Sequence, residues 1–212
     1  MEILDPKLQA YLDAHCDAEP EVLSKINRET HVKVLKANML SGHYQGRLLS
    51  MLSKMVNPTN ILEIGAFTGY SAICLAEGLA DGGKLETIEV NAEMETMLRK
   101  NFEMAGVDDK INLHIGDAMP ILLDFPDNYF NIVFIDADKK NNLNYFESSI
   151  QKVKPGGLII IDNVLWKGKV YGIEKDADTE SFRKLNDQVT VDNRVEKLIL
   201  PIRDGILIIR KK

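Results

Sequence analysis

The chain reads as an α/β protein: a doubly wound, mostly parallel sheet with one reversed strand, preceded by helices. Three observations predict this. Short apolar runs at 60–64, 84–89, 111–115, 131–136 and 157–162 alternate with segments of helical period. Such alternation means a parallel sheet covered on both faces through right-handed crossovers. The first run ends in a glycine turn, Gly65 to Gly69, that opens a helix. The last two β runs, 195–200 and 206–210, flank a turn containing Gly205 and read as an antiparallel hairpin.

In chain order, Pro6 opens a helix through His15, and Pro20 starts a second over 21–36. A link at 38–42 leads to a helix over 44–56 with Leu48, Leu49, Leu52, Met55 and Val56 as its apolar stripe. Asn57-Pro58-Thr59 ends it. Residues 1–56 thus form an N-terminal helical cap, and 57–212 the α/β core of a single domain. Within the core, helices are expected at 69–80, 91–105, 118–123, 142–153 and 178–191. The strands Ile132-Val133-Phe134-Ile135 and Leu158-Ile159-Ile160-Ile161 are apolar throughout, which fits central positions.

A chain of 212 residues can bury a core without staples. The formal charge of −6 argues against a general nucleic-acid or anionic-membrane surface. Cys16 and Cys74 have neither metal nor disulfide spacing, which fits a reduced, cytoplasmic setting. The start, MEILDPK, is acidic and lacks an apolar signal core. No apolar run approaches the roughly 20 residues of a membrane helix, so no membrane partner is expected.

The turn after the first strand carries the first chemical signal. Its pattern is Glu63-x-Gly65-x-x-x-Gly69, with Phe67 where a dinucleotide fingerprint needs its second glycine. This argues against an NAD-dependent dehydrogenase. An acid beside such a turn suits a ligand with positive charge, such as the amine and sulfonium of S-adenosylmethionine. Glu89 ends the second strand, where an acid can accept both hydroxyls of a ribose.

Ligands of open α/β sheets bind outside the carboxyl ends of the strands. Here those ends read Glu63 and Gly65, Glu89, Gly116-Asp117-Ala118, Asp136-Ala137-Asp138-Lys139, and Asp162-Asn163. Strands four and five should be neighbours, which brings the Asp136 and Asp162 carboxylates and the Asn163 amide together. Two unpaired carboxylates at that distance repel unless a cation sits between them. Hard oxygen donors select Mg²⁺, Ca²⁺ or Mn²⁺ over Zn²⁺. The alternative is that these acids cap the following helices or bind backbone N–H groups. Lys139 reads either as a general base beside the metal or as a surface lysine paired with Asp136 or Asp138. Trp166 reads either as a stacking surface for a flat substrate or as packing against the N-terminal segment. The four histidines share no ligand spacing.

These residues resemble the cation-dependent O-methyltransferases of the caffeoyl-CoA type, similar in fold to catechol O-methyltransferase. The matching stretches are LEIGAFTGYS (62–71), IDADK (135–139), KPGGLIIIDNVLWKG (154–168) and LPIRDG (200–205). GHYQGRLLSML (42–52) resembles the helix before that family's first strand. The resemblance implies a Rossmann-like fold of seven strands with the last reversed, S-adenosylmethionine as methyl donor, a divalent cation, usually Mg²⁺, and a homodimer. It carries Asp136, Asp162 and Asn163 to metal ligands, Lys139 to the general base, and Trp166 to the substrate loop. It carries Glu63, Gly65, Ser71, Glu89, Ala118 and Asp138 to cofactor contacts, with groups near Met39 and Ser41. Gly69, Asp117 and Asp136 join them on the reading of strand ends, and Asp136 also stands with Lys139 as catalytic. The acceptor implied is a vicinal dihydroxy aromatic, catechol-like or caffeoyl-like. The alternatives are a tRNA hydroxyuridine O-methyltransferase and a non-catalytic nucleotide-binding module. The segment 40–43 and the stretch 167–178 depart from the plant pattern, which leaves the acceptor open.

Overall fold

The computed structural model describes residues 6–212; the acidic residues 1–5 of the amino-terminal stretch lie outside the described residues. Two helices come first, α1 (Pro6–His15) and α2 (Glu21–Lys33), then a 3₁₀ turn (Ala37–Met39) and α3 (His43–Val56). From there strand and helix alternate: β1 (Asn60–Ile64), α4 (Tyr70–Ala76), β2 (Lys84–Glu89), α5 (Glu95–Met104), β3 (Ile111–Ile115), α6 (Ala118–Asp124) and β4 (Phe130–Ile135). Then come α7 (Asn142–Lys152), β5 (Val153–Ile161), α8 (Ala177–Val191), β6 (Val195–Leu200) and β7 (Ile206–Lys211).

The seven strands form one sheet in the order β3-β2-β1-β4-β5-β7-β6. β7 is antiparallel to both of its neighbours and is the one reversed strand. The fold is the Rossmann-like sheet expected. Period-two alternation sends Ile61, Ile132, Phe134 and Ile160 to a core with α2, α3, α4 and α5. It sends Leu62, Ile64, Val133, Ile135, Ile159 and Ile161 to a second core with α6, α7 and α8. Leu23, Ile26 and Leu49 are fully buried in the first core, so α2 and α3 are integral to it.

Several boundaries differ from expectation, each for a physical reason. α2 stops at Lys33 because Val34 is extended and Lys36 takes a left-handed conformation. Residues 37–39 then form a 3₁₀ turn where a plain link was expected. The helix after Gly69 ends at Ala76, four residues early. Gly78 there abuts α3: a Cβ on it would lie 2.3 Å from the Lys54 nitrogen. The helix expected over 91–105 is divided, a 3₁₀ turn at Ala92–Met94 leading into α5. β5 begins at Val153, and Pro155-Gly156 is absorbed at a register shift against β4.

β1 and β4 are adjacent, and the strand order reverses between them, which opens a crevice at their carboxyl ends. Gly65 turns over this point with φ of 99°. A Cβ on it would lie 2.2 Å from the Asp136 carbonyl oxygen. Gly65→Ala therefore combines a disfavoured φ with a backbone clash and should lower unfolding free energy by about 2–4 kcal/mol. Gly82 has φ of 73° and open space around it, so Gly82→Ala should cost only about 1–2 kcal/mol. Urea melts of the two variants compare them directly; equal losses would refute the close-approach argument.

Candidate active site

The Gly65–Ser71 turn forms one wall of a pocket, the segment Met39–Ser41 forms the other, and Asp136 completes it. Gly69 supplies the left-handed residue that starts α4, with φ of 83°. A Cβ there would meet the Phe102 ring at 2.6 Å. Ser71 faces the pocket and donates its hydroxyl to Glu63 Oε1 at 2.5 Å. Glu63 is fully buried behind Ser71, and the Thr87 hydroxyl donates to its other oxygen. Glu63 thus reaches the pocket through Ser71, whereas the sequence suggested a direct ligand contact. Burial pushes its carboxyl up to about 7; the two hydroxyls oppose that shift, and the Asp136 and Glu89 charges add to it.

Glu89 sits at the tip of β2, nearly buried. Its carboxylate accepts the N–H groups of Phe67 and Asn91, both at 2.8 Å. It therefore fixes the glycine turn from the side. Asp117 caps α6 through the Met119 N–H at 3.0 Å, and Ala118 is buried beside it. Asp138 accepts the Asn141 N–H at 3.1 Å and the Tyr145 hydroxyl at 2.7 Å, capping the entry to α7. Asp117 and Asp138 thus both cap helix starts at the strand ends.

The tips of β4 and β5 gather Asp136, Lys139, Asp162 and Asn163. Lys139 Nζ donates to Asn163 Oδ1 at 2.7 Å and to Asp136 Oδ1 at 3.3 Å. The Ser181 hydroxyl, on α8, holds the Lys139 carbonyl at 2.6 Å. Asp162 is 4% exposed; its Oδ1 accepts the Asn163 N–H and its Oδ2 the Gln45 side-chain N–H, both at 2.7 Å. Burial pushes the Asp162 carboxyl up, and the neighbouring Asp136 charge pushes it further, while Gln45 opposes both.

Among the described residues no three His, Cys, Asp or Glu side chains converge as a metal cluster; the set here is two carboxylates and one amide. It nevertheless fits a hard cation. Every donor is an oxygen, the carboxylates keep lone pairs beyond their present bonds, and a positive group, the Lys139 ammonium, already bridges two of them.

Gln45 and Arg203 belong to this site and were not singled out from the sequence. Gln45 is fully buried, and Arg203, in the turn between β6 and β7, donates to the Leu40 and Ser41 carbonyls. Both lie in stretches that carried the family resemblance, the only signal available for them. Trp166 packs on Phe182 of α8, ring centroids 5.1 Å apart, rather than on the N-terminal segment.

A glycine turn at the strand-order reversal, backed by acids and flanked by an Asp-Asp-Asn-Lys cluster, is the site of an α/β group-transfer enzyme. The chain belongs to the O-methyltransferase family, whose model matches residues 13–212. It is 38% identical over 205 residues to caffeoyl-CoA O-methyltransferase 1 of Eucalyptus globulus, covering 91% of this chain and 82% of that one. The fold matches an O-methyltransferase from Bacillus cereus solved in complex with SAH, with a TM-score of 0.86, 28% identity and 97% of each chain covered. It also matches the O-methyltransferase TomG of Streptomyces achromogenes, involved in tomaymycin synthesis and solved with SAM. There the TM-score is 0.88 at 28% identity, covering 97% of this chain and 96% of that one. The protein is thus an O-methyltransferase of the caffeoyl-CoA type.

The buried Glu63 carboxyl binds more protons folded than unfolded between its ordinary pKa of 4.5 and about 7. Its contribution to stability therefore falls as pH rises through that window. Glu63→Gln removes this dependence, so the wild type should lose up to about 3 kcal/mol relative to the variant from pH 4.5 to 7. Parallel stability–pH curves for the two proteins would overturn the assignment.

Proposed function

We propose that this enzyme transfers the methyl group of S-adenosylmethionine to one hydroxyl of a vicinal dihydroxy aromatic, with a divalent cation, Mg²⁺ first, held by Asp136, Asp162 and Asn163. The observation that carries this reading is the meeting of Lys139 with two of those donors, Asp136 and Asn163, at the strand tips beside the glycine-turn pocket. The SAH- and SAM-bound structural relatives support the donor.

When bound, the cation would supply positive charge that favours the ionised form of a nearby phenol. The chain's own residues do the rest. The Gly65–Ser71 turn and the Met39–Ser41 wall hold the donor, with Glu63 behind Ser71 and Glu89, at the tip of β2, placed for its ribose hydroxyls. Leu40, Ala66 and Tyr70 are buried at the pocket and limit water there. Lys139, in its neutral form, accepts the proton of the acceptor hydroxyl. The acceptor oxygen bonds to the methyl carbon as the carbon–sulfur bond breaks, and that electron pair returns to sulfur. Holding both reactants at contact distance can supply about 7–11 kcal/mol of the barrier reduction.

Labelled methyl transfer to catechol, caffeic acid, caffeoyl-CoA and bulk tRNA, each with Mg²⁺ and with chelator, tests this. Transfer to the catechols should occur and vanish with chelator; transfer to tRNA alone would replace the acceptor class. Loss of an outer partner of a metal ligand typically costs about 10–100-fold. Asp136→Ala removes a ligand itself and should lower turnover by at least that much, and unchanged activity would sink the metal reading.

A further inference from the structure

The turn between β6 and β7 touches segments that serve both the glycine-turn pocket and the Asp-Asn-Lys cluster. On one side Arg203, itself at φ of 51°, sends its guanidinium away from its own hairpin. Its Nη1 donates to the Leu40 carbonyl at 2.7 Å, to the Ser41 carbonyl, and to Gln45 Oε1 at 3.4 Å. Leu40 and Ser41 are 5% and 4% exposed and form a pocket wall. Gln45 in turn donates to Asp162 at 2.7 Å.

On the other side Asp204 Oδ1 accepts the Lys167 N–H at 2.6 Å, and the Asp204 carbonyl accepts the Leu165 N–H at 2.8 Å. The Gly205 carbonyl accepts the Val164 N–H at 3.1 Å. A Cβ on Gly205 would lie 2.4 Å from Leu165 Cγ, so the turn sits flush on this loop. Residues 164–167 follow Asp162 and Asn163 directly and include Trp166.

We infer that the β6–β7 turn is a two-sided bracket for the reaction: Arg203 positions the donor-pocket wall, and Asp204 positions the loop that meets the acceptor. The inference rests on the methyl-transfer reading above. A turn that only closed its hairpin would spend its charged side chains within the hairpin. Here both reach other segments, and each reaches a different one. Charge-assisted hydrogen bonds to backbone groups are stronger and more directional than neutral ones, which suits the task of fixing a loop. The Arg203 charge also offsets part of the upward push that burial gives Asp162.

The test is calorimetric binding of S-adenosylhomocysteine without metal or acceptor, followed by steady-state kinetics with S-adenosylmethionine and the catechol that the panel ranks first. Arg203→Met keeps the apolar stem and removes every donor; Arg203 is exposed, so the change leaves both cores intact. This variant should bind S-adenosylhomocysteine about five- to tenfold more weakly and raise the donor KM, with the acceptor KM within about twofold. Arg203→Lys should recover part of the loss. Asp204→Ala should do the reverse, leaving product affinity within about twofold and raising the acceptor KM. Asp204→Asn keeps an acceptor oxygen and should restore it.

Unchanged product affinity in Arg203→Met overturns the inference while the functional reading stands. Equal losses of donor and acceptor affinity in both variants also overturn it, because the turn is then a general support. A wild type that binds no S-adenosylhomocysteine overturns the functional reading itself, and the bracket with it.

Discussion

Gly65 and the Asp136 carbonyl approach so closely that no side chain fits between them, and the active site depends on that contact. β1 and β4 are hydrogen-bonded neighbours, with Ile64 opposite Ile135. Their continuations part at the next residue, where the Asp136 N–H still donates to the Ile64 carbonyl. Because residue 65 has no Cβ, the turn can fold down over the tip of β4. The glycine-turn pocket and the Asp136 carboxylate therefore share one crevice. A side chain at 65 would lift the turn away from the tip of β4.

The ends of β1, β2, β4 and β5 bring together four acids that would otherwise repel, and each is satisfied differently. Glu63 has two hydroxyls, Glu89 two backbone N–H groups, Asp162 one amide and one backbone N–H, and Asp136 the Lys139 ammonium. Most of these partners are neutral, so they satisfy hydrogen bonding without cancelling charge. Burial and the neighbouring charges therefore push Glu63 and Asp162 toward their protonated forms, and a cation entering the crevice would favour the charged ones. Burying these acids is costly for the free fold, and it makes the crevice complementary to positive charge. A sulfonium donor and a divalent metal are two ways of supplying it.

The sheet was legible in the sequence because local patterns determine it. Alternating apolar and polar runs give strand and helix, and parallel topology sends every strand's carboxyl end to one edge. Adjacent acids at that edge, Asp136 and Asp162, could therefore be placed together without coordinates. Boundaries were less legible wherever packing overrode the pattern. Gly78 stops α4 because α3 occupies the space a side chain would need. Lys154-Pro155-Gly156-Gly157 resembles a turn, yet pairing with β4 recruits it into β5 across a register shift. Gln45 and Arg203 were invisible for a different reason. Gln45 meets Asp162 only because α3 packs on the sheet, and Arg203 meets Leu40 only because the final hairpin returns to the same edge. No spacing rule encodes either contact.

The same distinction separates the two halves of the site. The donor half is made of strand ends and the turns that leave them, so the fold itself carries it. The loop proposed to meet the acceptor, residues 163–176, is different: Asn163, Trp166 and Lys167 all take positive φ there. Non-glycine residues hold such conformations only when their surroundings impose them. Here the imposing groups are remote: the Asp204 carboxylate on the Lys167 N–H, the Asn186 amide on the Val164 carbonyl, and Phe182 against the Trp166 ring. Arg183 adds bonds to the carbonyls of Lys169, Val170 and Gly172. The loop is thus shaped by α8 and the final hairpin rather than by the sheet. The same two elements also reach the strand-tip cluster, through the Ser181 hydroxyl on the Lys139 carbonyl, and the Met39–Ser41 wall, through Arg203, so a change in either is felt on both sides of the crevice.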